Sequence, residues 1–525
     1  MKTFFAILFL ILFSAGLYTT TLRGIYGNNE EKILAKGYDY EASPFETSHE
    51  RGPYAHVLAL AQTGQYALTE AGGKFAHPDV GYHKGKFFSF FAPGIAYMIL
   101  PFYKLGYPYN LSQVFSYAFI SLVSIAALVF LFLIARQILK LPLWASLLAP
   151  LLFSFSSFAW SYSGTIYQHH VSVFLIFSAF YFAWRFKENS KASPLWALLV
   201  GINYGIAFML DYPNAILFLP VGVYLFILSL KFVKEEARYK IEFRPSFIIA
   251  ILGFAAITGL HFWHNTHYFG SPFRLSGGLI GIRELEARGL VGKTDSEVQA
   301  ALHSEIKSKE NVVGFFTEEN LPRSFGILIG STDRGIALYS PIMLLGVFGI
   351  LFYFVKKKWN IEISILVALL GVNLFLYSSW GDPWGGWAFG PRYLIPATTV
   401  LSFFVASFLS QGKWLWVKRI IALPLIAYSS AVALLGVLTT NAVPPKVEAL
   451  FLGGKWNFLY NWDLFKAGKS GSFAFNEYFH KYITLEQYGY SIYACVFVVF
   501  ILILFVFPIF EKTNVGKVTN SESAQ

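Results

Sequence analysis

The sequence predicts an all-α polytopic membrane protein, with about twelve transmembrane helices, one partial helix and its large polar loops on one face. Composition is the first observation. The 525 residues are 55% hydrophobic and only 14% charged, with a mean hydropathy of +0.52. Many windows reach the roughly 18 to 20 apolar residues that cross a bilayer. The second observation is pattern. The alternating short strands of an outer-membrane barrel are missing, so the spans read as helices. The third is charge. The net charge of +11 comes from Lys and Arg in short loops, which fits a topology signal better than a nucleic-acid surface.

Thirteen apolar segments stand near 4–21, 91–107, 113–135, 142–160, 170–184, 195–210, 214–230, 246–263, 337–355, 361–379, 393–410, 420–439 and 489–510. The first follows Lys2 and reads as a signal anchor and first span. The basic loops "ARQILK", "RFKENSK", "KFVKEEARYKIEFR", "KKKWN" and "QGKWLWVKR", with the tail from "EKTNVGK", should face the cytoplasm. They agree with one another, because two spans separate each pair. They also agree with an inside N-terminus if 91–107 does not cross. That segment, "FAPGIAYMILPFYKLGY", is short and interrupted by Pro93 and Pro101, which suits a partial helix. Twelve crossings follow, with both termini inside. Residues 22–90, 161–169, 264–336, 380–392 and 440–488 then share the outer face. Residues 1–440 read as the catalytic membrane region, and 441–525 as an outer loop, a last span and a tail.

The chemistry should lie in those outer segments. Glu50, in "SHERGPYAHV", stands at the head of a helical run. It reads either as a solvated loop acid or as a base able to take a proton from an attacking hydroxyl. Asp79 is the second candidate base and Asp39 a weaker third. Arg51 joins the candidate substrate-binding groups, as do Lys84 and Lys86. These lysines suit a phosphate at headgroup level, or simply snorkel. His169 and His170 open a span. Neighbouring positions on a helix point about 100° apart, so the two do not naturally share a metal. One of them facing a cavity is the functional reading. Asp211 precedes Pro213 and reads as a helix cap. "YSSWGDPWGGWAFGPRYLIPA" is the most specific stretch, with three Trp and four Gly. Trp384 and Trp387 offer flat faces for a sugar, or a membrane belt. Arg392 offers a permanent cation for phosphate. Arg334 sits similarly, with Asp333 beside it as a partner. The single Cys495 allows no internal disulfide and no cysteine metal site. No P-loop or dinucleotide fingerprint is present, which argues against an ATP-driven pump and a Rossmann-type nucleotide-sugar enzyme.

These residues resemble the GT-C membrane glycosyltransferases, in the branch with the protein O-mannosyltransferases and the lipid A aminoarabinose transferase. The resemblance runs from about 45 to 400. It is carried by Glu50 four residues before Tyr54-Ala55, by "GKFFSFFAPGIAYMILPFY", by "HYFGSPF", and by "LYSPIMLL" followed by "WGGWAFGPRYL". It implies a sugar donor on a polyprenyl phosphate, a carboxylate base in the outer loop, inversion at the anomeric carbon, and a cell-envelope acceptor at the outer face of the inner membrane. Carried over, Glu50 is the base. Two departures stand out. The family usually has Asp-Glu where this chain has His49-Glu50. Relatives often hold the phosphate with a lysine where this chain has Phe90 and Phe91, so Lys84, Lys86 or Arg392 must substitute. No cofactor is required, although a divalent cation stays open. A transporter of lipid-linked sugars and an inactive scaffold are the other readings. Transport calls for charges lining a path through the spans, and few are present.

The topology has a direct test. A reporter active only in the cytoplasm should work when fused after residue 140 and stay silent near residue 300. Activity at the second position alone would mean that 91–107 crosses.

Overall fold

The computed structural model describes residues 1–28, 44–189, 192–235, 238–290, 293, 297–298, 300–301, 321–449 and 455–511. Asp39 and the tail beyond residue 511 lie outside them. The chain is an all-α polytopic membrane protein, with two small sheets among the described residues. Helix α1 (Lys2–Thr21) leads into the outer segment, which holds α2 (Ser48–Thr63), α3 (Glu70–Ala76), β1 (Val80–His83) and β2 (Lys86–Ser89). Then come α4 (Gly94–Gly106), α5 (Ser112–Leu133), α6 (Leu143–Phe155), α7 (His169–Glu188), α8 (Ser193–Leu210) and α9 (Leu219–Ser229). A hairpin of β3 (Leu230–Glu235) and β4 (Arg238–Phe243) joins these to α10 (Ser246–Phe269). The second half contains α11 (Leu321–Gly330), α12 (Leu345–Val355), α13 (Ile361–Ser378), α14 (Ile395–Ser410), α15 (Leu415–Leu438), α16 (Phe458–Lys466) and α17 (Leu485–Ile501).

Each of the twelve segments expected to cross contains a helix. Eight of the described helices have the length and apolar character to span a bilayer, and Leu143–Phe155, Asn214–Ser229 and Pro341–Val355 are shorter apolar helices. Helix α7 has 20 residues but carries Arg185, Lys187 and Glu188 in its last turn. The segment expected to be partial forms α4, with 13 residues and Pro101 inside it. At about 1.5 Å per residue it reaches about 20 Å, short of a hydrocarbon core of about 30 Å.

The basic helix ends gather at one end of the bundle. Lys187 Nζ, at the end of α7, pairs with Glu362 at the start of α13 at 2.9 Å. Glu511 Oε1 accepts from the Leu143 N–H, at the start of α6, at 3.0 Å. At the other end, β1 pairs antiparallel with β2 and with the short strand Ile280–Gly281. That three-stranded sheet ties residues 80–89 to the segment after α10.

Close packing between helices uses small residues. A Cβ on Gly201 in α8 would lie 2.0 Å from the Ala250 carbonyl oxygen in α10. Without a side chain there, the two backbones touch, and dispersion replaces a hydrophobic drive that lipid cannot supply. Gly201→Val should therefore lower stability in detergent by about 1–3 kcal/mol. Gly259→Val, at a glycine with open space around its Cβ position, should stay within about 0.5 kcal/mol. Thermal unfolding of both variants beside the wild type checks this.

Candidate functional site

A cavity of about 1400 Å³ opens between the segments expected on the outer face. Its wall is drawn from residues 46–53, 77–79, 90–95, 167–168, 208–216, 271–283, 377–393 and Glu448. These lie within or at the edges of the segments that the basic loops assign to the outer face.

Arg392 dominates this wall electrostatically. It stands just before α14, where the chain enters the bundle, and is 7% exposed. Its guanidinium carbon lies 5.2 Å from the ring centres of both Tyr167 and Tyr393. The tyrosine faces attract the cation, and Tyr393 is also a side-chain hydrogen-bond partner of the guanidinium. Among the described residues, Nε and Nη1 have no hydrogen-bond partner, and no carboxylate forms an ion pair with the guanidinium. Each buried donor left so costs about 1–3 kcal/mol. An anion in the cavity would remove that cost. Gly385 makes room: its φ is +69°, and a Cβ there would sit 2.9 Å from Arg392 Nε.

The loop carrying Gly385 is held by Arg334. Expected to meet substrate, Arg334 is instead fully buried and bonded all round. It donates to the carbonyls of Trp384 (3.0 Å), Gly386 (3.1 Å), Val443 (2.8 Å) and Asp333 (3.1 Å), and to Asp333 Oδ1 at 2.9 Å. Asp382 closes the same loop by accepting from the N–H groups of Trp384 and Gly386. Trp384 does not line the cavity. Trp387 does, with its Nε1 donating to Glu448 at 2.8 Å.

The two candidate bases part company. Glu50 is fully buried and absent from the cavity wall. Its carboxylate accepts from the N–H groups of Glu46 (3.0 Å) and Ile166 (3.3 Å). It thus staples the first outer segment to the turn before α7. Next to it Glu46 pairs with Arg23 at 2.5 Å and accepts from the Asn441 N–H at 2.7 Å. Asp79 lines the cavity and accepts from Ser48 Oγ at 2.5 Å. Arg51 also lines it, with Nη2 on the His77 carbonyl at 2.9 Å. Lys84 and Lys86 do not: they are exposed at the β1–β2 turn, where Lys84 has φ +48°. Neither His169 nor His170 lines the cavity, and His170 Nε2 donates to the Ala159 carbonyl at 2.8 Å.

Three cavity residues were not expected as site groups: His49, read only as a departure from Asp-Glu, Asp211, read as a cap, and Gln168. Asp211 makes no side-chain cap. Its Oδ2 accepts from Gln168 Nε2 at 3.1 Å, and Gln168 Oε1 accepts from His49 Nε2 at 2.7 Å. The signal for His49 was its place beside Glu50. Gln168 and Asp211 had none, because each borders an apolar helix at a position where a cap is ordinary. Among the described residues, no three His, Cys, Asp or Glu side chains come together as a metal set.

No protein-family model matches the chain, and no curated protein does. Among solved structures it is similar to ArnT from Cupriavidus metallidurans in the apo state, at 11% identity and a TM-score of 0.49, covering 95% of this chain and 76% of that one. The same protein bound to undecaprenyl phosphate gives 12%, 0.48, 95% and 76%. The oligosaccharyltransferase AglB from Archaeoglobus fulgidus, in complex with an inhibitory peptide and a dolichol-phosphate, gives 12%, 0.41, 81% and 54%. These are proteins of the GT-C kind that the sequence resembles. Likenesses this distant carry no statement about the reaction of this chain.

Burial, then the neighbouring Glu46 carboxylate, push the Glu50 carboxyl up to about 7. A carboxyl raised in this way favours the fold fully below its unfolded value of 4.5 and loses that contribution as pH rises through about 7. Glu50→Gln carries no such titration. Its thermal stability relative to the wild type should therefore be higher at pH 8 than at pH 5, and a difference independent of pH would contradict the assignment.

Proposed function

We propose that the chain is a membrane glycosyltransferase. It moves a sugar from a polyprenyl phosphate to a cell-envelope acceptor on the extracytoplasmic face, with inversion at the anomeric carbon. The observation that carries this reading is Arg392, a buried cation with two free donors at the edge of the bundle and on the wall of a large cavity. A lipid phosphate brings its anion to that depth, because its tail stays in the bilayer. The cavity exceeds the roughly 300–1,000 Å³ of an ordinary small-ligand site, which leaves room for a donor sugar and an acceptor together. Tyr377, Trp380 and Trp387 supply flat apolar faces on the same wall. The resemblance in sequence points the same way.

The roles follow from charge. Arg392 neutralises the phosphate and stabilises it further as it leaves with the bonding electrons of the anomeric carbon. That gain is larger in the transition state than in the ground state, so it accelerates the reaction. A single displacement by an acceptor hydroxyl on the opposite face gives inversion. Asp79 is the one of the two expected carboxylates that can meet an acceptor, and Ser48 fixes its rotamer. Arg51 adds positive charge nearby. Among the described residues no three His, Cys, Asp or Glu side chains gather as a metal set, and activity that survives chelation would fit this scheme. Transport is less favoured, because the cavity lies at one end of the bundle.

Purified protein in liposomes should transfer labelled hexose or pentose from undecaprenyl phosphate to envelope acceptors with no nucleotide added. Arg392→Ala should weaken undecaprenyl phosphate binding by about 10- to 100-fold, the worth of a charged hydrogen bond. Transfer that needs a sugar nucleotide, or binding unchanged in Arg392→Ala, would overturn the reading.

A further inference from the structure

We propose that His49, rather than a carboxylate, is the catalytic base of this transfer, taking the acceptor hydroxyl's proton on Nδ1 while Gln168 and Asp211 fix its tautomer. The inference rests on the transfer reaction proposed above.

The hydrogen-bond chain decides the tautomer. Asp211 as a carboxylate can only accept, so Gln168 must present Nε2 to it, at 3.1 Å. Gln168 Oε1 then faces His49 at 2.7 Å and can only accept. His49 must therefore donate from Nε2, which leaves the lone pair on Nδ1. That nitrogen makes no hydrogen bond within the described protein, and His49 lines the cavity. The three residues come from the first turn of α2, the start of α7 and the end of α8. A carboxylate that orients an imidazole without taking its proton is an established catalytic device, here with an amide inserted between them.

His49 also lies where the proton must go. Its ring stacks on Tyr167 at 4.8 Å, and Arg392 lies over the same ring at 5.2 Å. The anomeric carbon is one oxygen away from the phosphate that Arg392 would hold, so a base beside Tyr167 is close to the attacking hydroxyl. Phe91 packs edge-on at 4.0 Å and keeps that side apolar. The groups facing His49 are thus Arg392, Gln168 with Asp211 behind it, His169 at 6.5 Å, Tyr167 and Phe91. Burial, then the Arg392 charge, hold the imidazole well below its ordinary pKa, so it stands neutral. Bound phosphate offsets that charge and raises the proton affinity of His49 once donor is present. Burial raises Asp211 to about 6, so it is ionised at neutral pH.

The step balances. The acceptor O–H bond breaks, its proton goes to Nδ1, and its oxygen forms the new bond to the anomeric carbon. The bond from that carbon to the phosphate oxygen breaks, and polyprenyl phosphate leaves with the electron pair. His49 returns the proton to water or to the departing phosphate.

The test uses full-length protein in liposomes, labelled undecaprenyl-phosphate sugar and an envelope extract as acceptor. His49→Ala should lose about 10²- to 10⁴-fold in turnover and bind undecaprenyl phosphate as the wild type does. Added imidazole should restore part of that activity. Asp211→Asn should lower kcat more than it changes KM and move the acid limb of the pH profile, a shift that loss of packing alone would not give. His49→Asp should keep more activity than His49→Ala, with the acid limb moved to lower pH. Turnover of His49→Ala within threefold of the wild type would overturn the proposal. So would an inactive Asp79→Asn beside a His49→Ala enzyme that imidazole does not restore. A wild-type protein that transfers no sugar from undecaprenyl phosphate would instead remove the transfer reading itself, so the two failures are told apart.

Discussion

A guanidinium taken out of water must find acceptors, and how the buried arginines do so organises the cavity end of this protein. Arg334 finds four carbonyls and Asp333, and in doing so gathers the ends of three chain segments. Arg23 finds Glu46 and the Thr439 carbonyl, joining the end of the first helix to two distant loops. Arg392 finds two tyrosine faces and a hydrogen bond to Tyr393, with Nε and Nη1 left over among the described residues. The first two make a frame, and the third is left open within it. Unsatisfied buried charge is expensive in any fold, so a place where it persists beside a cavity suggests a ligand of opposite charge.

The frame explains how loops can hold a site. The cavity wall is mostly connecting segments, which would be poor supports if free. Here the sheet of residues 80–89 with 280–281, the Asp382 turn and the Arg334 cluster cross-link them. Glu50 does the same work deeper down, between the first outer segment and the turn at Ile166. A carboxylate that receives two backbone N–H groups beneath the cavity floor is well placed to position His49, its neighbour on the chain. The acid that the family resemblance marks as a base here supports the residue before it.

Much of the fold was legible in the sequence. Long apolar runs need helices in lipid, because no water is there to satisfy the backbone, and every expected span contains one. The short α4 was legible from Pro93 and Pro101. Arg392 was legible as a fixed cation beside a glycine-rich turn. Other roles depended on partners far away in the chain. Arg334 looked like a ligand group until the carbonyls of 384, 386 and 443 surrounded it. Lys84 and Lys86 looked well placed until the β1–β2 turn carried them out to solvent. Asp211 reads as a cap from Pro213, and only the approach of Gln168 turns its carboxylate to another use. Side-chain chemistry can be read locally, but burial and partnership are set by tertiary contacts.

The central claim is that Arg392 is the anchor for a lipid-borne phosphate. The most direct measurement is a cryo-electron microscopy map of the protein in nanodiscs with undecaprenyl phosphate. The account predicts phosphate density within hydrogen-bond distance of Arg392 Nε or Nη1, with the His49 ring facing the same space. Phosphate density at Lys84 and Lys86, with Arg392 still unpartnered, would contradict it.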